Sequence, residues 1–293
     1  MTALLQTLLD GVTSAAIFAA IGVAFNVIYR SGRVFNIAQG ELLMLATFVS
    51  ILLLDLGLSP WVVFPVTMGI MAAVGLTIER LVLRKLIGRS ELSLFISTLG
   101  VLLVLNGLTI VLLGGESRLF PAVLGTARFE IGGVQVNVSA VIGAAIVLVT
   151  VLAVGAFFGR TRMGLAMTAV AEDHQIARSM GIDVGRSMAL SWVLAGAIST
   201  IAVLAYMGGR TVSPDVSAIA LIALPVVLLA GVETIVGVIA AAVIVGVGQA
   251  AAARWLDPAT AGGASVLFPF VLMLAILMIR PQGLFGWKRV ARL

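Results

Sequence analysis

Arg160-Thr161-Arg162-Met163-Gly164 opens a polar island that Met180-Gly181-Ile182-Asp183-Val184-Gly185-Arg186 closes, with a long apolar run on either side. At about 27 residues it is shorter than a stretch that forms a domain with its own core. A charged loop of this size on an otherwise apolar chain is expected to present something to a soluble partner. Inside it, Thr168 to Met180 reads as one short helix. Val170, Ile176, Ala177 and Met180 fall on an apolar stripe at three-to-four-residue spacing. Glu172, Asp173, Gln175 and Arg178 fall largely elsewhere, and Gly181 is a natural C-terminal stop. So short a helix is marginal alone in water. It must dock on the protein's own ends, on a partner, or on both.

The composition around the island is that of a membrane protein. The chain has 293 residues, 61% hydrophobic and 11% charged, with a mean hydropathy of +1.20. Soluble domains carry about 25% charged residues, so too little polar surface is left to face water. The 32 glycines fit, because small residues let helices approach closely in lipid. The absence of cysteine excludes disulfides, thiolate metal sites and cysteine nucleophiles. Asp10 precedes the first apolar run and no basic segment leads it, so that run reads as a retained span. The net charge of +5 is better read as orientation signals on loops than as a nucleic-acid surface.

Nine apolar runs occur, near residues 11–28, 37–57, 61–79, 92–113, 138–158, 188–207, 216–231, 233–253 and 266–280. The seventh is short and shares the turn Gly231-Val232-Glu233 with the eighth, as a broken or re-entrant helix would. The expected fold is an all-α polytopic bundle of eight to ten membrane helices. It forms one transmembrane domain over 1–293, with a cytoplasmic loop at 159–187. With nine crossings and an inner C-terminus, fourteen of the 18 basic residues fall on inner loops and four on outer ones. The four are Arg118, Arg128, Arg210 and Arg254. That bias predicts an extracytoplasmic N-terminus, with residues 160–186 and the C-terminus in the cytoplasm.

An internal echo points to an inverted repeat. Tyr29-Arg30-Ser31-Gly32-Arg33 and Tyr206-Met207-Gly208-Gly209-Arg210 are each followed by two spans. The charge map puts the first inside and the second outside. An inverted repeat places a pathway at its pseudo-twofold axis near the midplane.

Few ionisable residues lie in the apolar runs. Glu41 follows Asn36-Ile37-Ala38-Gln39-Gly40, and Glu233 sits at the turn between the seventh and eighth runs. Charge in hydrocarbon is expensive and commonly marks a pathway or a pair. Glu41 is equally readable as a favourable charge on the first turn of its helix. Asn36, Gln39, Gly40 and Glu41 fit a helix that begins inside the membrane, against a buried or water-lined cavity, and also a simple interfacial start. His174 is the only histidine and reads as a solvated loop residue. No Ser/His/Asp arrangement is available, and the phosphate-binding pattern Gly-x4-Gly-Lys-Ser/Thr is absent. This chain is not expected to hydrolyse nucleotide.

Four segments resemble the permease subunits of ABC importers for branched-chain amino acids, the H-type (LivH-like) subunit in particular. Asn36-Ile37-Ala38-Gln39-Gly40-Glu41 is similar to that family's Asn-x-Ala-x-Gly-Glu helix start. Thr161-Arg162-Met163-Gly164, Ala169-Val170-Ala171-Glu172-Asp173 and Ala177-Arg178-Ser179-Met180-Gly181-Ile182 resemble its cytoplasmic coupling loop. Ala230-Gly231-Val232-Glu233-Thr234-Ile235-Val236-Gly237 is similar to its Gly-rich turn, and Arg280-Pro281-Gln282-Gly283-Leu284-Phe285-Gly286 to its C-terminal signature. The matches run in order across nearly the whole chain. It departs at Leu165 and Thr168, where the family carries arginines, and at Val232 and Glu233, where small residues are usual.

The resemblance implies a non-catalytic, multi-pass subunit of the bacterial inner membrane that translocates branched-chain amino acids. Its partners would be a second related permease, two cytoplasmic ATPases and an extracytoplasmic binding protein. No cofactor is implied on this chain, since ATP and magnesium would sit on the ATPases. Thr161, Arg162, Gly164, Ala171, Glu172, Asp173, Ala177, Met180 and Gly181 would couple to the ATPase. Asn36, Gln39, Gly40, Glu41, Gly231 and Glu233 would line the pathway. A permease for urea or short amides is the alternative within the family. An ion-coupled secondary transporter, with Glu41 as its candidate ion site, is the alternative outside it.

Overall fold

The computed structural model describes residues 2–286; Lys288, Arg289, Arg292 and the C-terminus, which entered the charge count, lie outside the described residues. Every apolar run becomes a helix. Six are long enough to cross a membrane: α1 (Thr2–Gly32), α3 (Pro60–Leu81, prolonged by a 3-10 turn at Leu83–Leu86), α4 (Glu91–Leu113), α5 (Val138–Arg160), α8 (Val184–Tyr206) and α10 (Gly237–Trp255). Three are shorter: α2 (Gln39–Asp55), α9 (Ile219–Ala230), which follows a 3-10 turn at Pro214–Ala218, and α12 (Gly263–Ile279). The 12 residues of α9 rise only about 18 Å. Hydrocarbon is about 30 Å thick, so the seventh run is the broken element its length predicted.

Three small helices complete the described residues: α6 (Arg162–Glu172), α7 (His174–Ser179) and α11 (Asp257–Thr260). The helix expected over 168–180 is therefore two helices. Asp173, at φ −156°, breaks it, and its Oδ1 accepts from the Gln175 and Ile176 amides at 2.7 and 2.9 Å to start α7. Two antiparallel ribbons were not anticipated. β1 (Arg118–Leu119) pairs β4 (Thr211–Val212), and β2 (Arg128–Ile131) pairs β3 (Val134–Asn137) across Gly132-Gly133. The second had a legible signal, since a Gly-Gly pair between short alternating segments marks a tight hairpin.

α1 and α8 form the centre. Within the apolar window of α1, 83% of residues are buried, against 22% for peripheral α4. Leucines and valines on the outer helices stay exposed (Leu103, Val111, Leu112, Val149), as lipid contact requires. Close packing supplies the cohesion that the hydrophobic effect cannot supply between helices in lipid. α3 crosses α8 where Gly75 faces the Trp192 carbonyl and Gly196 faces the Met71 carbonyl. α1 crosses α10 where Gly11 faces Val247 and Gly246 faces the Gly11 carbonyl.

These paired crossings obey the inverted repeat. α8 packs α3 as α1 packs α10, α2 lies against α8 as α9 lies against α1, and α4 flanks α2 as α12 flanks α9. Tyr29 and Tyr206, like Arg33 and Arg210, stand 177 positions apart (206 − 29 and 210 − 33). The same offset relates Pro60 to Gly237, the first residues of α3 and α10 (237 − 60).

Contacts sort the loops into two faces. Arg33 pairs with Glu172 at 2.8 Å, and Arg84 approaches Gly185. The 280–286 segment donates from Leu284 and Phe285 to the Leu229 and Ala230 carbonyls. On the opposite face β1 pairs β4, Arg118 lies 3.7 Å from Asp55, and Gln6 of α1 bonds to Gln135 of β3. These are the groupings that the basic-residue count proposed.

Adding one methyl at Gly196 or Gly246 drives it into backbone, whereas Gly100 has nothing within 4 Å of the added carbon. Gly196→Ala and Gly246→Ala are expected to destabilise the purified protein by about 1–3 kcal/mol. Gly100→Ala should be neutral or stabilising. Thermal unfolding in detergent checks the difference.

Candidate functional site

The helix start at Asn36–Glu41 lies deep in the bundle. Gln39 Nε2 donates to Ser199 Oγ at 2.8 Å, and Asn106 Nδ2 donates to Glu41 Oε2 at 3.2 Å. Ser199 and Asn106 are each the sixteenth of 23 residues in α8 and α4. At 1.5 Å per residue they stand about 22 Å from the Arg33–Glu172 end of those helices. So α2 begins within the membrane thickness, and the interfacial start is set aside. Its irregular approach is internally satisfied: Asn36 Oδ1 accepts from the Ala38 amide at 3.1 Å and Asn36 Nδ2 donates to Gln39 Oε1 at 3.3 Å. Asn36, Gln39 and Glu41 are all buried.

Gly40 presses on the Ser217 carbonyl, closer than any side chain would permit. Ser217 is Gly40's mate at the 177-residue offset (217 − 40), so the two half-helices touch where the pseudo-twofold axis passes. Beside this contact is a cavity of about 160 Å³ between α1, α2, α4 and α9, walled by Phe25, Leu102, Leu221 and Leu224, with Glu41 and Ser217 its polar side chains.

Gly231 and Glu233 belong elsewhere. Gly231, at φ +88°, ends α9 and packs against Gly286 and the Gln282 carbonyl, and Gly283 is seated against the Leu228 carbonyl. The turn and the C-terminal signature, separate in sequence, are thus one packed unit. Asn26 of α1 fastens it by donating to the Thr234 carbonyl at 2.9 Å. Glu233 lines a second cavity, about 210 Å³, with Tyr29, Arg30, Arg33, Thr168, Ala171 and Glu172. That cavity is at the Arg33–Glu172 face, away from the Gly40–Ser217 contact.

The 161–183 loop is built outward from the bundle. Thr161 Oγ1 accepts from the Gly164 amide at 3.0 Å and caps α6. Gly164 sits on the Phe157–Phe158 backbone, while Met167 and Val170 bury against α1 and α5. Arg162 and Asp173 are exposed, Ala171 is half-buried, and Ala177 is buried. The expected apolar stripe therefore divides: Val170 and Ala177 turn in, whereas Ile176 and Met180 are 63% and 76% exposed. Gly181, at φ +78°, ends the segment as its residue type predicted. Glu172 is largely exposed, so its pair with Arg33 orients α6 more than it stabilises it, exposed pairs being worth about 0–1 kcal/mol.

His174 is half-buried rather than solvated. Burial, then the Arg178 charge, lowers its pKa below the ordinary imidazole value. Among the described residues no group of three or more His, Cys, Asp or Glu side chains is placed to hold a metal.

Several residues escaped the sequence analysis. Asn26, Asn106 and Ser199 each lie in a long apolar run, where a lone polar group that must find a partner was the available signal. Glu79 is fully buried at the end of α3, where Arg84 donates to it from Nε and Nη2 at 3.0 and 3.1 Å.

A polytopic bundle with an inverted repeat and half-helices meeting in its interior is an architecture suited to a membrane permease. The chain belongs to the family of branched-chain amino acid transport system permease components, which matches residues 7–277. It is 30% identical to a Methanocaldococcus jannaschii protein named as a probable branched-chain amino acid transport permease, LivH, over 94% of this chain and 91% of that one. It is 28% identical to the high-affinity branched-chain amino acid transport permease LivH of Escherichia coli K12, over 98% and 97%. Among solved structures, PsaBC from Streptococcus pneumoniae in complex with Fab shares the fold, with a TM-score of 0.50, 17% identity and coverage of 96% and 93%.

The backbone amides at Ile176 and Gln175 hold the Asp173 carboxylate below its ordinary range. A depressed pKa means that the cap contributes above the unfolded value of about 3.9 and is lost as pH falls through the lower folded value. Asp173→Asn should keep the Gln175 and Ile176 amides protected in hydrogen exchange, because asparagine caps as well as aspartate. Asp173→Ala should expose both at every pH, and the unaltered protein should lose their protection only in strong acid.

Proposed function

We propose that this chain is the membrane-embedded permease subunit of an ATP-driven importer and carries branched-chain amino acids toward the cytoplasm. Family membership and the names of the full-length relatives support the cargo. The absence of a phosphate-binding pattern supports separate ATPase subunits that hold ATP and magnesium. A binding protein on the far side and a second, related permease complete the assembly, which sits in the cytoplasmic membrane of a prokaryote. The Arg33–Glu172 face is cytoplasmic because most basic loop residues lie there. The N-terminus of α1, which meets the β2–β3 hairpin, is then extracytoplasmic.

One observation carries the coupling role: Ile176 of α7 and Met180, which follows it, are exposed on the basic face, while α6 is packed against α1. Apolar side chains held out of the core on a charged loop are fitted to a partner's pocket. A push on α7 passes through α6 to α1, the helix that touches most of the bundle, and so tilts the half-helix contact at Gly40 and Ser217. Thr161, Gly164 and Gly181 shape this lever; Arg162, Ala171, Glu172, Asp173, Ala177 and Met180 populate its surface and joints. Asn36, Gln39, Gly40 and Glu41 border the pathway at the axis. Glu233, also assigned to the pathway from sequence, serves it from the cytoplasmic mouth through the cavity with Arg30, and Gly231 shapes the turn that holds Glu233 there.

Two measurements test this. Ile176→Asp with Met180→Asp should leave the permease folded but abolish co-purification with its ATPases and reduce ATP-driven leucine uptake at least tenfold. Unchanged uptake would remove α7 from the coupling. Because the native chain lacks cysteine, single cysteines at Ile176 and Glu130 report sidedness directly. A membrane-impermeant maleimide added outside intact cells stripped of their outer envelope should label the Glu130 site and not the Ile176 site.

A further inference from the structure

Glu41 is the anomaly that the fold itself does not explain. It is 4% exposed, in the first turn of α2. A carboxylate there could serve as a cap, but no side chain caps α2, and the Glu41 carboxylate turns to Asn106 of α4 instead. Its polar neighbours, Asn106 and Ser217, are both neutral. No ion pair among the described residues includes it, whereas the other well-buried acid, Glu79, has a two-pronged arginine. A buried carboxyl group without a cation either stays protonated and neutral or, if ionised, is costly until a counter-charge arrives from outside.

The surroundings are shaped for such a guest. The cavity in front of Glu41 is apolar apart from Ser217, and its rim reaches the surface at Ala218 and Leu221, both exposed. The pseudo-symmetry is broken here: the offset that pairs Gly40 with Ser217 pairs Glu41 with Ala218 (218 − 41). One half of the repeat supplies a negative group, and the other supplies a methyl and an opening. We propose that Glu41 is the specificity residue of the pathway, receiving the ammonium group of an aliphatic amino acid in transit while Phe25, Leu102 and Leu224 wall its side chain. This deepens the transport function proposed above and rests on it. The ammonium provides the cation that the fold withholds, and a hydrogen bond between charged partners is stronger than a neutral one. A urea or short-amide cargo would bring only a neutral N–H and gain much less.

The test uses the complete transporter, with ATPases and binding protein, in proteoliposomes. Glu41→Gln keeps shape and hydrogen bonding to Asn106 but removes the charge. It is expected to lower leucine carried per ATP at least tenfold, with assembly and binding-protein-stimulated ATP hydrolysis retained. A neutral Glu41 that only packs would be replaced by glutamine without loss, so an unaltered ratio overturns the proposal. A parallel fall in hydrolysis and stability would show a structural role and overturn it too. Ala218→Lys is the independent variant, testable even if Glu41→Gln does not assemble. Its ammonium, set on the rim, should occupy Glu41 and reduce leucine per ATP in the same way, and normal leucine transport by it overturns the assignment. An unmodified complex that carries no leucine would instead overturn the transport function itself.

Discussion

A helix that begins in the middle of a bilayer has backbone amides that neither its own turns nor water can satisfy. α2 begins this way, and the rest of the architecture answers that constraint. The approach to it is sealed by α1, α4 and α8, the Asn36 side chain satisfies the Ala38 amide, and Gln39 is tied to Ser199. On the other side of the axis α9 is too short to span and begins beside the same point. Only a glycine at position 40 lets the two breaks meet, since a side chain there would collide with the Ser217 carbonyl.

Close packing and open space are separated within the bundle. The α3–α8 and α1–α10 crossings are glycine-mediated backbone contacts, and cores packed this closely resist continuous deformation. The α2–α9 contact on the axis lies beside a cavity, so a change there displaces less packed matter. α6 is joined to α1 by buried Met167 and Val170 and by the exposed Arg33–Glu172 pair. Arg33 sits at φ +51°, an uncommon conformation for a residue with a side chain, at the point where α1 ends and the approach to α2 begins. One residue therefore links the loop helix to the half-helix.

The C-terminal segment has a different task. The last carbonyls of α9 have no helical donor of their own. Leu284 and Phe285 supply amides to Leu229 and Ala230. A short, broken helix is thereby ended by a strand of chain from beyond α12. This explains why the Gly231 turn and the 280–286 signature both need glycine: their backbones are in direct contact.

The number of apolar elements, the shortness of the seventh and the grouping of loops into two faces were legible in the sequence. Each depends on local composition, length or charge, and each is dictated by the solvent the segment meets. The Tyr-Arg echo was legible too, because a repeat leaves a period in the chain. Tertiary structure alone decided the partners. Nothing local says that Asn106 and Ser199 stand opposite Glu41 and Gln39, that Glu233 keeps company with Arg30 rather than Glu41, or that Ile176 faces out while Ala177 faces in. Membrane helices are apolar on every side, so periodicity does not mark which face is buried. Only packing against another helix assigns a polar side chain its neighbour, and with it its role.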